Sequence, residues 1–328
     1  MQEQIKFIDL FAGVGGFRIA FESQNAKCVF SSEWDKYSQI TYQANFGDLP
    51  EGDITLIESK NIPNHDILTA GFPCQPFSNA GLKKGFEDTR GTLFYDVARI
   101  VNDKKPSMVL LENVKGFVNH NKGKTLQVVL ETLDDLGYNT TYKVLNAKDF
   151  GVPQNRERIF IVGINRKKLG KIGFEFPDPL NIKTILGKIL EKNPDSKYTI
   201  SNKLWQGHKR RLKENRMNGN GFGYGMLDEK STHINTISAR YYKDGSEILI
   251  NQGNKNPRML TPREAARLQG FPEKFIIPVS DTQAYRQFGN SVAVPVVKEI
   301  AKKMVELLKY PEKGKPYVGY FQREFKLN

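Results

Sequence analysis

Short apolar runs recur along the first half of the chain, at Lys6–Phe11, Lys27–Phe30, Ile67–Ala70, Met108–Leu111, Thr141–Leu145 and Arg158–Ile164. Each has strand length and polar or Gly/Pro-containing borders, which predicts buried β-strands. Between them, Thr92–Asn102 and Thr125–Leu136 carry apolar residues at the three- and four-residue spacing of amphipathic helices. Strands alternating with helices imply an α/β fold with a doubly wound, mostly parallel sheet. From about residue 166 the pattern degrades into Lys-, Asn- and Gly-rich sequence with only short strand signals, at Asn235–Ser238 and Glu247–Ile250. Regular structure resumes at Thr261–Leu268, where Thr261 is placed to cap a short helix. It ends with Val294–Lys309, whose Val296, Val297, Ile300, Ala301, Met304, Leu307 and Leu308 keep helical spacing. Tyr310–Asn328 mixes aromatics and lysines and follows no period.

The 328 residues suffice for one large domain and a smaller one. The change of pattern divides them into 1–180 with 276–328, expected to hold the chemistry, and 181–275, expected to form a smaller, basic, mainly irregular or β domain. Charge sharpens that division. The net charge of +13 is made of −2 over residues 1–165, +10 over 166–258 and +5 over 259–328. A basic middle beside a near-neutral first half points to a polyanion-facing module grafted onto a catalytic one. No run of 18 apolar residues is present, so no membrane span is expected. The opening Met1–Lys6 has no leader pattern, which predicts a cytoplasmic protein. Its two cysteines lie in unlike surroundings, which suggests reduced thiols, and no Cys/His cluster has metal-ligand spacing.

One of those cysteines, Cys74, lies in Gly71-Phe72-Pro73-Cys74-Gln75-Pro76-Phe77-Ser78, just past a predicted strand. Two prolines stiffen the segment and present the thiol as a nucleophile, whereas Cys28, within an apolar run, reads as a small core residue. The first strand ends in Phe11-Ala12-Gly13-Val14-Gly15-Gly16. Gly13 and Gly15 allow close approach of a ligand, but Arg18 stands where a dinucleotide fingerprint needs its third glycine. Glu33, 20 residues after Gly13, is placed to accept ribose hydroxyls; Trp34 can stack on a purine, and Asp53 can meet an adenine amino group. The set favours an adenosine cofactor without a pyrophosphate, such as S-adenosylmethionine, over NAD. Glu112 follows the apolar run Met108–Leu111, where burial would raise its pKa; a helix N-cap or a surface acid is the alternative. Arg156 and Arg158, two apart on a strand, face one side and suit a carboxylate or phosphate as readily as a surface ion pair.

Five segments occur in order: Phe7-Ile8-Asp9-Leu10-Phe11-Ala12-Gly13, Gly71-Phe72-Pro73-Cys74-Gln75-Pro76, Glu112-Asn113-Val114, Gln154-Asn155-Arg156-Glu157-Arg158 and Gln287-Phe288-Gly289-Asn290-Ser291-Val292. Together they resemble the blocks of the DNA (cytosine-5)-methyltransferase family, over nearly the whole chain. The resemblance implies a Rossmann-like, S-adenosylmethionine-dependent methyltransferase fold with a target-recognition domain. In that reading Cys74 adds to C6 of cytosine, Glu112 holds or protonates N3, and Arg156 and Arg158 orient the base and the carboxylate. Phe11, Gly13, Gly15, Glu33, Trp34, Asp53, Ile54, Pro73, Leu93, Asn290, Ser291 and Val292 would line the cofactor pocket. Lys83–Leu93 resembles the mobile loop beside the active site. The chemistry accounts for these residue types. Addition of a thiolate at C6, with a proton at N3, makes C5 nucleophilic enough to take a sulfonium methyl, and the base must first leave the duplex.

The basic segment would read DNA. Gly219–Gly225 supplies flexible backbone with Phe222 and Tyr224, while Arg240, Tyr242 and Lys243 lie where guanine edges could be read; contact with phosphate alone is the alternative. Lys209-Arg210-Arg211 reads as a phosphate contact, and Ser78 and Arg90 would touch DNA from the catalytic side. Gly219–Ile250 and Ile277–Pro295 resemble the Dcm-like subgroup, which implies methylation of the second cytosine of CCWGG, CCNGG or CCGG. The N-terminal half resembles the HhaI-type enzymes, whose target is GCGC. The expected protein is a monomer acting on double-stranded DNA without a protein partner, paired in function with a restriction endonuclease. A tRNA cytosine-5 methyltransferase and a catalytically silent DNA-binding protein are the competing readings.

Overall fold

A computed structural model describes residues 4–73, 93–221 and 223–319. The strands β1 (Lys6–Leu10), β2 (Lys27–Ser32), β3 (Ile67–Gly71), β4 (Met108–Val114) and β5 (Tyr138–Asn146) are followed by the two-residue β6 (Gln154–Asn155) and by β7 (Glu157–Asn165). All but β6 join one sheet in the order β2-β1-β3-β4-β7-β5. The first three pairings are parallel, and β7 runs antiparallel between β4 and β5. Burial on both faces explains the near-continuous apolar runs. Side chains alternate across the sheet: Phe7, Ile67, Met108, Leu110 and Val162 enter one core, and Ile8, Leu68, Val109, Leu111 and Ile161 enter the other.

Helices cover both faces. On the first face α1 (Gly16–Glu22) packs beside the C-terminal α9 (Val294–Lys309), which matches the expected range and buries Val296, Val297, Ile300, Ala301 and Met304. On the second lie α3 (Leu93–Lys104) and α4 (Lys124–Asp135), and α2 (Lys36–Phe46) follows β2. The short α5 (Arg166–Leu169) follows β7, and β8 (Ile172–Gly173) pairs with β13 (Lys315–Pro316).

A third core gathers Leu186, Ile234, Ile237, Tyr241, Ile248, Leu260, Leu268, Tyr285 and Phe288. It brings α7 (Pro262–Leu268) and α8 (Asp281–Asn290) together with the basic segment, and reaches Val14 and Val294 of the larger body. The strands here are short: β9 (Met226–Leu227), β11 (Leu249–Gln252) and β12 (Lys255–Arg258) form one sheet, and β10 (Ile234–Asn235) pairs with β6. The strand expected at Asn235–Ser238 therefore ends at Asn235. Side chains take over its ladder: the Ile237 amide donates to Gln154 Oε1 at 3.1 Å, and Thr236 Oγ1 donates to the Asn155 carbonyl at 2.7 Å. The strand expected at Glu247–Ile250 begins two residues later, because the Ile248 amide is held in a turn by the Gly245 carbonyl at 3.1 Å.

The 16-residue α6 (Asn202–Met217) gave no periodic signal, because His208 is its one buried residue. Ser201 caps it, accepting from the Leu204 amide at 3.2 Å. Thr261 caps α7 as expected, in a full capping box with Glu264.

Glu264 is a hub. Its buried carboxylate accepts from both terminal nitrogens of Arg258 at 2.7 and 2.8 Å, from the Thr261 amide at 2.8 Å and from the Glu191 amide at 2.7 Å. Replacing it strands Arg258 as a buried cation. Glu264→Ala is expected to cost about 3–5 kcal/mol in urea denaturation, and a loss below about 1 kcal/mol would show that the hub is incidental.

Candidate active site

The carboxyl ends of β1, β3 and β4 lie side by side, where an open parallel sheet places its ligands. Gly71 of β3 is in register with Glu112 of β4, and a Cβ built on Gly71 would lie 3.5 Å from Glu112 Oε2. On the other side Glu112 faces Phe160, two residues from Arg158, so period-2 alternation puts Arg158 diagonally across from the carboxylate. Arg158 Nε stands 3.2 Å from Glu112 Oε1. Burial pushes the Glu112 carboxyl up, and the charges of Arg158 and then Arg156 work against that rise. The result is a buried carboxyl displaced toward its protonated form.

Arg156 does a different job from its neighbour. It precedes β7, is 2% exposed, and donates to the carbonyls of Ile237 at 3.3 Å, Gly289 at 3.0 Å and Ser291 at 2.7 Å. Burial and the like charge of Arg158 push its pKa down, and Glu112 supports its charge. The two arginines thus do not both bond the carboxylate.

Asn113, whose role the sequence left open, donates from Nδ2 to the Phe72 carbonyl at 2.9 Å, while its Oδ1 accepts from the Val114 amide at 2.9 Å. Phe72 itself is buried against Phe94 and Phe117. The chain leaving β3 is therefore pinned at Phe72, one residue before Pro73. Cys74, Ser78 and Arg90 lie outside the described residues, as do Lys83–Thr92 of the expected loop, Phe222 and residues 320–328.

Beside this carboxyl, the turn after β1 has Phe11 and Gly13 at φ +56° and +55°. A Cβ on Gly13 would meet nothing within 4 Å, whereas one on Gly15 would lie 2.2 Å from the Phe46 ring. Gly13 borders open space, and Gly15 is needed for packing. Glu33 Oε2 accepts from the Gly13 amide and Oε1 from the Asp35 amide, both at 2.8 Å. Burial pushes Glu33 up, and the Asp35 and Gly13 amides oppose it. Trp34 beside it is 77% exposed. Asp53 accepts from the Thr55 amide at 3.0 Å, Ile54 enters the same core as Phe72 and Phe94 and its carbonyl accepts from Arg99 of α3 at 3.2 Å, and Leu93 is the first residue of that helix. Ser291 and Val292 abut Gly16 at the start of α1, and Asn290 ends α8 exposed. A buried carboxylate, an exposed indole and an open glycine turn fit an adenosine cofactor, and the missing third glycine leaves no phosphate cradle.

In the basic segment, Arg240 and Lys243 are exposed on one turn, and Tyr242 lies half-buried under Arg286, whose guanidinium is 5.2 Å from its ring. Tyr224 packs its ring on Trp205, 4.7 Å between centroids. Lys209, Arg210 and Arg211 are exposed on α6, and Arg211 pairs with Asp244 at 3.2 Å.

The fold is that of a methyltransferase. It superposes on the Schizosaccharomyces pombe Dnmt2 methyltransferase with a TM-score of 0.75 at 21% identity, covering 93% of this chain and 99% of the other. An Entamoeba histolytica methyltransferase, EhMeth, superposes equally well, with a TM-score of 0.75 at 21% identity over 94% and 99%. Sequence carries the assignment further, because residues 5–306 match the C-5 cytosine-specific DNA methylase family, to which this chain belongs. The Type II methyltransferase M.SsoII of Shigella sonnei is 61% identical over 305 residues, 92% of this chain and 80% of the relative. M.NlaX of Neisseria lactamica is 61% identical over 302 residues (91% and 96%), and M.HhaI of Haemophilus parahaemolyticus 43% over 326 (95% and 97%). The chain is a DNA methyltransferase of the restriction-modification type that uses S-adenosylmethionine to methylate cytosine at C5.

Two outcomes test this electrostatic picture. Arg158→Met removes the ion pair that opposes protonation of Glu112, so isotope-edited infrared should show the protonated carboxyl persisting to higher pH than in the unaltered protein. An unchanged titration would mean that Arg158 does not set it. The second concerns Asp9 on β1, fully buried, with Oδ2 lacking a partner among the described residues. Burial lifts it from 3.8 to about 7, against the hydrogen bond from Thr69 and the charge of Arg18. A folded pKa above the unfolded one gives a contribution complete below pH 3.8 and lost as pH rises through about 7. Asp9→Asn should therefore be more stable than the unaltered protein above pH 7 and flatter across that window in thermal melts.

Proposed function

We propose that Cys74 supplies the thiolate that adds to C6 of a cytosine flipped out of duplex DNA. The observation that carries this reading is the placement of Glu112: a buried carboxyl paired with Arg158 and in register with Gly71, three residues before Cys74. A neutral carboxyl donates a hydrogen bond to N3, which lowers the cost of placing charge on the ring as the C6–S bond forms. Arg158 holds that carboxyl in place, and Asn113 holds the Phe72 peptide from which the Pro73–Cys74 segment departs. When bound, S-adenosylmethionine supplies an electrophilic methyl group on a sulfonium. Glu33 would hold its ribose, Trp34 and Phe11 would flank the adenine, Asp53 and Ile54 would meet its edge, and the Gly13 turn and Asn290–Val292 would close the remainder. Loss of the C5 proton and departure of the thiolate then restore the ring.

The target follows from the resemblance of Gly219–Ile250 to the Dcm-like subgroup: the second cytosine of a CC…GG palindrome such as CCWGG, CCNGG or CCGG. Exposed Arg240 and Lys243 support direct reading of guanine. A GCGC-type target is the alternative, supported by the resemblance of the catalytic half to the HhaI-type enzymes. In the cell the protein would act as a cytoplasmic monomer, protecting DNA from a cognate endonuclease. Cys74→Ala is expected to abolish transfer of tritiated methyl groups while gel-shift binding of duplex DNA survives; normal turnover would remove Cys74 from the mechanism. Bisulfite sequencing of a plasmid carried with the gene should return methylation at the inner cytosine of a CC…GG site. Label confined to GCGC would favour the alternative.

A further inference from the structure

The turn 238–246, which carries Arg240, Tyr242 and Lys243, is gripped from outside by α6. His208 is 2% exposed, and its Nε2 lies 3.2 Å from the Asp244 carbonyl oxygen. Arg211 Nη2 lies 2.8 Å from His208 Nδ1, and both terminal nitrogens of Arg211 reach Asp244 Oδ2 at 3.2 Å. Asp244 Oδ1 accepts in turn from the amide and hydroxyl of Ser246, at 3.0 and 2.8 Å.

A guanidinium nitrogen only donates, so Nδ1 must be the acceptor. The ring is then neutral, and its one proton sits on Nε2, directed at the Asp244 carbonyl. A second proton at Nδ1 would set two donors against each other. Asp244 and Arg211 are the charged groups acting on the ring, and the Tyr224 ring lies 6.5 Å away. Burial pushes the imidazole pKa down, Asp244 opposes and Arg211 adds to the fall, which keeps the ring neutral at ordinary pH. Desolvation of Asp244 is outweighed by its bonds from Ser246 and Arg211, and its carboxyl stays below the usual range.

We propose that His208 and Arg211 are positioning residues for target recognition, clamping Asp244 so that Arg240 and Lys243 face the duplex, and that the clamp holds only while His208 is neutral. The inference rests on the reading of Arg240 and Lys243 as DNA contacts. It predicts that acidity weakens DNA engagement separately from catalysis.

The test is steady-state methylation of plasmid DNA carrying the mapped site, with KM for DNA and kcat followed from about pH 8 to about pH 5, the range in which histidine charges. In the unaltered protein KM should rise about tenfold on acidification, the worth of one lost charge-assisted hydrogen bond. His208→Gln keeps a donor for the Asp244 carbonyl and cannot titrate, so its KM should stay flat while its kcat profile matches the unaltered protein. Arg211→Met removes the opposing donor and should also abolish the rise. A rise of KM retained in both variants overturns the clamp. The double variant Arg240→Ala, Lys243→Ala separates the two levels. If it leaves KM for DNA unchanged, the recognition reading itself has failed and takes the clamp with it. If it raises KM while His208→Gln follows the unaltered pH profile, only the clamp has failed.

Discussion

The guanidinium of Arg156 joins parts of the chain more than 130 residues apart. It lies beyond the reach of solvent, so it needs oxygen partners to offset a desolvation cost of several kcal/mol. It finds them in the carbonyls of Ile237, Gly289 and Ser291. Ile237 belongs to the basic segment; Gly289 and Ser291 belong to the stretch that returns the chain to α9 and the sheet. The two backbones approach so closely that a Cβ on Gly289 would lie 2.4 Å from the Ala239 nitrogen. That contact needs a residue without a side chain on one partner and a shared donor between them. The turn that begins at Ser238 is thereby fixed relative to β7, hence to Arg158 and Glu112.

Around the carboxyl, two effects of opposite sign are balanced. Burial alone would make Glu112 a neutral acid, and a close arginine alone would make it a permanent carboxylate. With both present, the group is raised but is still held by Arg158. The sheet supplies the geometry: parallel register places β3 beside Glu112, and the antiparallel β7 places Arg158 on its other flank. Reversal of β7 in an otherwise parallel sheet is thus what brings Arg158 to the carboxyl.

The recognition half is built by other means. Its strands are two to four residues long, and much of its order comes from side chains bonded to backbone: Gln154 to Ile237, Thr236 to Asn155, Ser238 with Glu247, His208 to Asp244. Few residues of α6 are buried, so its outer surface is free to be charged, with Lys203, Lys209, Arg210, Lys213 and Arg216 all exposed. These polar bonds add to the third core, in which Ile237, Tyr241 and Ile248 are buried beneath the turn, and leave its outer face exposed and charged.

Sequence by itself determined the sheet and the identity of the chemistry. The strands of the larger sheet and α9 were legible because burial on one or both faces writes itself into apolar periodicity. The chemistry was legible because few residue types can do it, and they stand in order along the chain. Periodicity could not reveal α6, which buries little, nor the end of β10, where side chains replace the ladder. It could not divide the work of Arg156 and Arg158 either, because strand alternation says which face a side chain takes and not which oxygen it finds. Glu112 with Arg158, Asn113 with Phe72, and Arg156 with three distant carbonyls are meetings between elements. Only the tertiary structure decided them, because partners remote in sequence are chosen by packing, and packing by the whole chain at once.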